Sequence, residues 1–157
     1  RWPLDHWVAL VERARADGHP LRVFLGPREE GWFDGSPLAA ALAAYPDSET
    51  VRARPLGDVA RALAGCRALV CNDSGLLHLS EAVGTPVLAF FGPTVRAFGY
   101  TPQLPASRLL ETTDLDCRPC SRNGRRPCHR GDLACLVRIT PDRAWAALHE
   151  MVARPDR

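Results

Sequence analysis

Short apolar runs alternate with segments of helical pattern along most of this 157-residue chain. The runs are four to six residues long and the helical segments about ten, a rhythm typical of right-handed βαβ units on a parallel sheet. The predicted strands are Leu21–Leu25, Thr50–Ala53, Ala68–Cys71, Pro86–Phe91 and Arg108–Glu111. The predicted helices run from an Asp5 cap to Gly18, over Pro37–Tyr45, Gly57–Ala64 and Gly75–Val83, and from a Thr140 cap over Pro141–Val152.

An α/β domain of this kind usually opens with a strand, whereas this chain opens with a helix. We therefore expect the first strand of the sheet to be missing, upstream of Arg1.

The length suits a single domain, residues 1–157, with one hydrophobic core. The longest apolar run, Val87 to Phe91, is too short for a membrane span of about 20 residues. A net charge of +2 does not by itself indicate a nucleic-acid or membrane partner.

The segment from Asn72 to Thr94 (NDSGLLHLSEAVGTPVLAFFGPT) carries the clearest sign of a ligand site. In open parallel sheets the ligand lies beyond the carboxyl ends of the strands. A helix start there offers backbone N–H groups and a partial positive charge, both of which attract phosphate. The pattern therefore predicts that Asp73 accepts sugar or ribose hydroxyls, while the amides of Ser74 and Gly75 bind phosphate oxygens.

The helix that follows is predicted to have one polar and one apolar face. Ser74, His78 and Glu81 are spaced at i, i+4 and i+7 and share the polar face. The apolar face, toward the sheet, is formed by Leu76, Leu79 and Val83. Asp-Ser-Gly is also an ordinary helix-capping turn, and a His in a first helical turn often only bonds a nearby carbonyl. The spacing alone leaves both interpretations open.

These residues closely resemble a family motif. Asp-Ser-Gly-x-x-His, an Ala/Gly-rich helix end, Thr-Pro, an apolar strand and Phe-Gly-Pro-Thr are similar to the pattern of glycosyltransferase family 9, the ADP-heptose:lipopolysaccharide heptosyltransferases. Further similar stretches are Trp2-Pro3, Gly26-Pro27 with Glu29, Leu56 to Ala60 and the Cys-rich loop at 117–135. The resemblance implies a GT-B architecture of two Rossmann-like halves, each a parallel sheet with helices on both faces. It identifies this chain as most of the C-terminal, donor-binding half.

The resemblance also implies roles for individual residues. Asp73 would contact the donor heptose, and His78 with the Ser74 and Gly75 amides would hold the diphosphate. Glu29 would bind the ribose hydroxyls. Gly92-Pro93-Thr94 would shape the cleft, with Thr94 counted among the donor-binding residues. Val95 to Pro102 departs from the family pattern, which leaves the exact donor sugar and acceptor open.

Members of this family are inverting enzymes that need no catalytic metal. The resemblance implies transfer of heptose from ADP-heptose to a lipopolysaccharide core acceptor, in the cytoplasm or at the inner face of the cytoplasmic membrane. The general base would lie in the N-terminal half, so no residue of this chain is assigned a catalytic role. We expect the chain alone to bind ADP or ADP-sugar weakly and to transfer nothing.

Four cysteines lie close together in the loop at 117–135. Cys117, Cys120, Cys128 and Cys135 have spacings that can close a tetrahedral zinc site, with His129 as a competing ligand. Two disulfides or reduced, packed thiols are the alternatives, and an iron–sulfur cluster fits the spacing less well. Cys66 and Cys71 are predicted to be small core residues.

Two other functions are compatible with parts of the sequence. A GT-B domain could serve a UDP- or GDP-sugar, or only bind its ligand. A zinc-ribbon-like nucleic-acid contact is the more distant alternative, because the Cys-rich loop is basic but lacks aromatic residues. The basic residues of that loop are Arg118, Arg122, Arg125, Arg126 and Arg130.

Overall fold

The computed structural model describes residues 1–124 and 126–153 of the chain. It divides into two compact units, a smaller one over Pro3–Val59 and a larger one that contains Arg1 and Trp2 together with the chain from Ala60 onward. The boundary falls inside one helix, α4 (Leu56–Ala64). Among the described residues, no helix has the length and apolar character needed to cross a bilayer.

The smaller unit contains three helices and two parallel strands. In chain order these are α1 (Leu4–Ala16), β1 (Leu21–Phe24), α2 (Glu30–Phe33), α3 (Pro37–Ala43) and β2 (Ser48–Val51). Helix α3 begins where Ser36 accepts a hydrogen bond from the Ala39 N–H at 3.2 Å and Pro37 takes the first helical position. Helices α1 and α3 bury their apolar faces in one core together with Leu25, which directly follows β1. The buried residues of this core are Val11, Leu25, Phe33, Leu38 and Leu42.

The larger unit is built on a three-stranded parallel sheet in the order β3–β4–β5. Its elements after α4 are β3 (Leu69–Asn72), α5 (Gly75–Ala82), β4 (Val87–Phe91), a 3₁₀ turn (Arg96–Phe98), β5 (Arg108–Glu111), α6 (Ala134–Val137) and α7 (Pro141–Ala153). Strand β4 is central, and all five of its side chains are buried. This explains its uninterrupted apolar sequence, because a strand covered on both faces needs no polar alternation.

Trp2 is a core residue of this larger unit. Its side chain is 2% exposed, and its ring lies 4.5 Å from that of Phe90, centroid to centroid. The indole N–H donates to the Ile139 carbonyl at 2.7 Å, which satisfies the only polar group of the side chain. The backbone N–H of Trp2 donates to Asn72 Oδ1 at 2.8 Å, so this residue also holds the last residue of β3.

All five predicted strands and all five predicted helices are present, with ends within about two residues of the prediction. The strands, however, pair in a two-stranded and a three-stranded sheet, whereas the sequence predicted a single sheet. Alternation along a chain gives the order of strands in sequence and does not specify which of them pair. The Asp5 cap is also wrong, because α1 begins at Leu4 after Pro3 and Asp5 lies within its first turn.

Candidate donor-binding site

The polar residues predicted to bind ligand follow two neighbouring strands of the three-stranded sheet. Asp73 comes directly after β3, and Gly92-Pro93-Thr94, which we call the Gly92–Thr94 turn, comes directly after β4. Parallel strands end at the same edge, so the two segments meet: Asp73 N–H donates to Phe90 O at 3.2 Å and Thr94 Oγ1 donates to Asp73 Oδ2 at 2.8 Å. Thr94 is 1% exposed and Asp73 is half-buried. Residues 21 positions apart thus form one polar pair at the sheet edge.

Helix α5 begins at this edge with exposed backbone. Ser74 occupies the N-cap position in an extended conformation (φ −154°, ψ 166°), but its side chain makes no capping hydrogen bond. Its hydroxyl instead bonds the thiol of Cys71. Ser74 and Gly75 are both exposed, and a Cβ built on Gly75 would meet no atom within 4 Å. The interpretation of Asp-Ser-Gly as a simple capping turn therefore loses its main support, since the side-chain cap is not made.

Cys71 is confirmed as a buried residue beneath this helix start, and Cys66 is half-buried. Burial raises the pKa of the Cys71 thiol to about 12, with the Ser74 hydrogen bond acting in the opposite direction. The thiol is therefore protonated at neutral pH.

The polar face of α5 differs in part from the prediction. Ser74 and His78 are exposed, as a ligand-binding role requires. Glu81 is half-buried and holds a loop: its carboxylate accepts hydrogen bonds from the backbone N–H groups of Gln103 and Leu104, at 2.8 and 2.9 Å, and from Ser107 Oγ at 2.7 Å. These hydrogen bonds hold in place the loop that precedes β5.

The buried face of α5 is rotated by one residue relative to the predicted apolar face. Leu77 and Ser80 are the buried residues of the helix, both with no exposed surface, whereas Leu76 and Leu79 are only half-buried. The Ser80 hydroxyl is accommodated there because it donates to Thr85 O at 3.0 Å. In an eight-residue helix, a rotation of one residue, about 100°, is enough to exchange the faces.

Glu29 belongs to the smaller unit, whereas Asp73, Ser74, Gly75, His78 and Thr94 all belong to the larger one. The Glu29 side chain is half-buried after β1, and its Oε2 accepts the Gly26 N–H at 2.9 Å. This bond tightens the turn between β1 and α2.

The structural role of Arg118 was not predicted from the sequence. Its side chain is only 4% exposed. The guanidinium donates to Gly92 O at 2.5 Å, to Thr94 O at 2.7 Å and to Thr112 O, and it pairs with Glu111 Oε2 at 2.9 Å. Arg118 is therefore not available to the nucleic-acid contact considered as an alternative from the sequence, because its charge is satisfied inside the protein.

Glu111 is the carboxylate partner of this arginine. Burial alone would raise its pKa, but hydrogen bonds from Arg96 and Arg118 outweigh burial and hold the pKa of Glu111 below its ordinary value. The Arg96 Nε–Glu111 Oε1 distance is 2.6 Å, and the Glu111 side chain is 10% exposed. The pair with Arg118 is therefore ionised at neutral pH.

The Cys-rich loop does not form a ready metal site. The residues that the structure describes include no group of three or more His, Cys, Asp or Glu side chains placed to hold a metal ion. All six cysteines are free thiols, with Cys117, Cys120 and Cys128 half-buried and Cys135 buried. The zinc site predicted from the spacing is therefore not confirmed, and the two-disulfide alternative is not what the structure contains.

The remaining basic residues of this loop are exposed, except that Arg125 lies outside the described residues. Arg122 and Arg126 line an open cavity of about 360 Å³ together with Phe98 and Pro119. Arg130 pairs with Asp132 at 3.0 Å. Among the described residues of the loop, the basic side chains are thus divided among a buried pair, a surface pair and an open cavity, and they do not form the broad basic face of a nucleic-acid binder.

Comparison with known proteins agrees with the motif. The family model described as glycosyltransferase family 9 (heptosyltransferase) matches residues 1–130. Lipopolysaccharide heptosyltransferase 1 of Pseudomonas aeruginosa is 31% identical over 99% of this chain and 45% of its own length. The chain therefore spans less than half the length of this curated relative.

Solved structures show the same fold. The structure of E. coli ADP-heptose LPS heptosyltransferase II aligns with a TM-score of 0.75 at 23% identity, covering 98% of this chain and 42% of that one. The E. coli heptosyltransferase WaaC with ADP aligns with a TM-score of 0.62 at 24% identity, covering 96% of this chain and 39% of that one.

Proposed function

Because the chain belongs to glycosyltransferase family 9, we propose that it is the donor-binding half of an inverting heptosyltransferase. The reaction proposed is transfer of heptose from ADP-heptose to a lipopolysaccharide core acceptor. The observation that carries the proposal is the hydrogen bond between Thr94 and Asp73 beside the open start of α5. It joins a carboxylate suited to sugar hydroxyls to a helix start suited to a diphosphate.

Each proposed contact has its own structural support. Asp73 is half-buried and fixed by Thr94 through one oxygen, and among the described residues no hydrogen bond to its other oxygen is recorded. We assign that oxygen to the donor sugar. The amides of the exposed residues Ser74 and Gly75, with the exposed His78, are assigned to the diphosphate, where a helix start stabilises negative charge.

Glu29 is assigned to the ribose hydroxyls on the strength of the family motif. A carboxylate can accept more than one hydrogen bond at each oxygen, so its bond to Gly26 N–H is compatible with a bound ribose. The same bond would hold the carboxylate in a fixed orientation.

The chemical step needs stabilisation of the leaving diphosphate and removal of a proton from the acceptor hydroxyl. The helix-start amides would supply the first, an electrostatic contribution that is often the largest in enzymes of this kind. No acidic residue of this chain is assigned the second. We propose that an N-terminal half of the same enzyme supplies the general base and the acceptor contacts, and that the enzyme acts at the inner face of the cytoplasmic membrane.

Calorimetric titration of the chain with ADP-heptose tests the proposal. We expect ADP-heptose to bind more tightly than ADP, and ADP more tightly than UDP or GDP. Asp73→Asn should weaken binding of ADP-heptose by about 10–100-fold, because a hydrogen bond to a charged group contributes about 1.5–3 kcal/mol. Binding of ADP should change little, since Asp73 is assigned to the sugar.

Asp114→Asn is the matched control, because Asp114 is 73% exposed and pairs only with the exposed Arg138 among the described residues. It should leave both affinities unchanged. Tighter binding of a UDP- or GDP-sugar would favour the alternative donor class, and equal affinities of the Asp73→Asn variant and the unmodified chain for ADP-heptose would refute the role of Asp73.

We also propose that Cys117, Cys120, Cys128 and Cys135 bind a structural zinc ion. The four cysteines lie within one loop of 19 residues, although their present arrangement is not that of a metal site. The backbone N–H of Leu133, followed by those of Arg130 and Gly131, holds the pKa of Cys128 below its ordinary value. Such donors stabilise a thiolate ligand.

Metal analysis of the chain purified without chelator should find about one zinc ion per molecule, as a four-thiolate site requires. Cys128→Ser should lose the metal. Cys66→Ser should keep it, because Cys66 lies outside the loop and its thiol donates to Ala62 O. Protein free of zinc after purification in zinc-containing medium would show that the thiols are simply reduced residues of a packed loop.

A further inference from the structure

We propose that Arg118 is a positioning residue of the donor site, which sets the orientation of Asp73 by holding the Gly92–Thr94 turn in place. The proposal rests on the sugar-binding role proposed for Asp73. It comes from one arrangement of hydrogen bonds: the three consecutive carbonyls of the turn all accept from the short segment 118–121. Arg118 binds the carbonyls of Gly92 and Thr94, and the backbone N–H groups of Cys120 and Ser121 bind that of Pro93, at 3.2 and 3.4 Å.

Thr94 transmits this restraint to Asp73. Its carbonyl accepts from Arg118 at 2.7 Å, while its hydroxyl donates to Asp73 Oδ2 at 2.8 Å. Only the Cα and Cβ atoms separate these two groups, and Thr94 is 1% exposed, so the residue has little room to turn. β-branched side chains are also restricted in χ1. A shift of the turn would therefore move the hydroxyl away from the carboxylate.

The chemistry of the guanidinium explains why an arginine is needed here. Its rigid fork carries five N–H donors, which lets one side chain reach two carbonyls of the same turn and a carboxylate together. The ion pair with Glu111 and the carbonyl bonds compensate for burying the charge, which would otherwise be strongly unfavourable. An ammonium group on a flexible stem offers three donors without this fixed geometry, so Lys would not hold both ends of the turn.

The test compares affinities for ADP-heptose and ADP in the folded chain. A defect in positioning should reduce the preference for ADP-heptose, since Asp73 is assigned to the sugar, and should leave ADP binding nearly unchanged. We expect Arg118→Met and Thr94→Val each to reduce this preference about tenfold, the effect of losing a hydrogen bond to a charged group. The two changes should not add in the double variant, because they break the same chain of contacts.

A general structural defect would weaken both ligands equally, and that outcome in Arg118→Met and Thr94→Val would overturn the proposal. Arg118→Lys serves if Arg118→Met does not fold; it keeps the charge beside Glu111, and full retention of the preference in this variant would also overturn it. Arg138→Met is the control, as Arg138 is an exposed arginine paired with Asp114, and it should change neither affinity. A chain without any preference for ADP-heptose over ADP would instead refute the proposed function itself.

Discussion

Replacing Trp2 by alanine is expected to lower the free energy of unfolding of the chain by about 3–5 kcal/mol, the usual cost of deleting a large buried aromatic side chain. The indole is 2% exposed and packs on Phe90, whose strand is the centre of the larger unit. The substitution would also leave the Ile139 carbonyl without its indole donor, at 2.7 Å. Both losses occur in the same core, so they should appear together in one unfolding transition.

Urea unfolding followed by circular dichroism measures this effect. Trp32→Ala is the matched control, because Trp32 is 41% exposed and lies outside the larger unit. We expect the control to lose well under half of the free energy lost by Trp2→Ala. A loss below about 1 kcal/mol for Trp2→Ala would be too small for a fully buried tryptophan and would show that Trp2 is not a core residue.

Gly92→Ala is expected to cost about 1–3 kcal/mol by overpacking, although it adds a single methyl group. A Cβ at this position would lie 2.7 Å from Leu136 Cγ and 3.1 Å from both of its methyl carbons. Leu136 is 3% exposed on α6, so it has little space into which to move. The added carbon would push the Gly92–Thr94 turn, and affinity for ADP-heptose should fall along with stability.

Leu136→Ala should partly rescue Gly92→Ala, because it removes the atoms that clash. Alone it should cost about 2–5 kcal/mol, yet the double variant should lose clearly less than the sum of the two single changes. Gly57→Ala provides the control, since a Cβ there meets no atom within 4 Å and Gly57 lies in α4. Equal stability of the Gly92→Ala and Gly57→Ala variants would contradict the predicted clash.

The elements of the fold were largely predictable because their signals are local. The strand over Val87–Phe91 is a continuous apolar run closed by Gly92-Pro93, and α7 begins after Thr140, whose Oγ1 accepts the Arg143 N–H at 3.3 Å. Helices α2 and α6 were not predicted, since four residues are too few for a helical period to emerge. Strand pairing also escaped prediction, because it depends on contacts that alternation does not encode.

The residues of the candidate site were also predictable where they lie close together in the sequence. Asp73, Ser74, Gly75 and His78 lie in one short motif, so they could be proposed from the sequence. Thr94 came from the family pattern, and its contact with Asp73 follows from the parallel pairing of β3 and β4.

The role of Arg118 depends on a contact with Gly92, 26 positions away in the sequence. No periodicity of the sequence indicates such a contact. In the sequence it is one arginine among five in a basic loop. An irregular loop has no repeating burial pattern that could single out one arginine, and only the structure distinguishes Arg118 from the exposed Arg122 and Arg126.

The stretch between the Gly92–Thr94 turn and β5 is attached to the larger unit at both of its ends. It is anchored at Gln103 by Glu81, and its other end is anchored at Thr94 by Arg118. Residues 95–102, which depart from the family pattern, lie between the two anchors. Both anchors lie outside residues 95–102, so we expect substitutions there to leave Asp73 in place, except at Arg96, which pairs with Glu111, the carboxylate partner of Arg118. The same two anchors mark where a loop from another family member could be grafted.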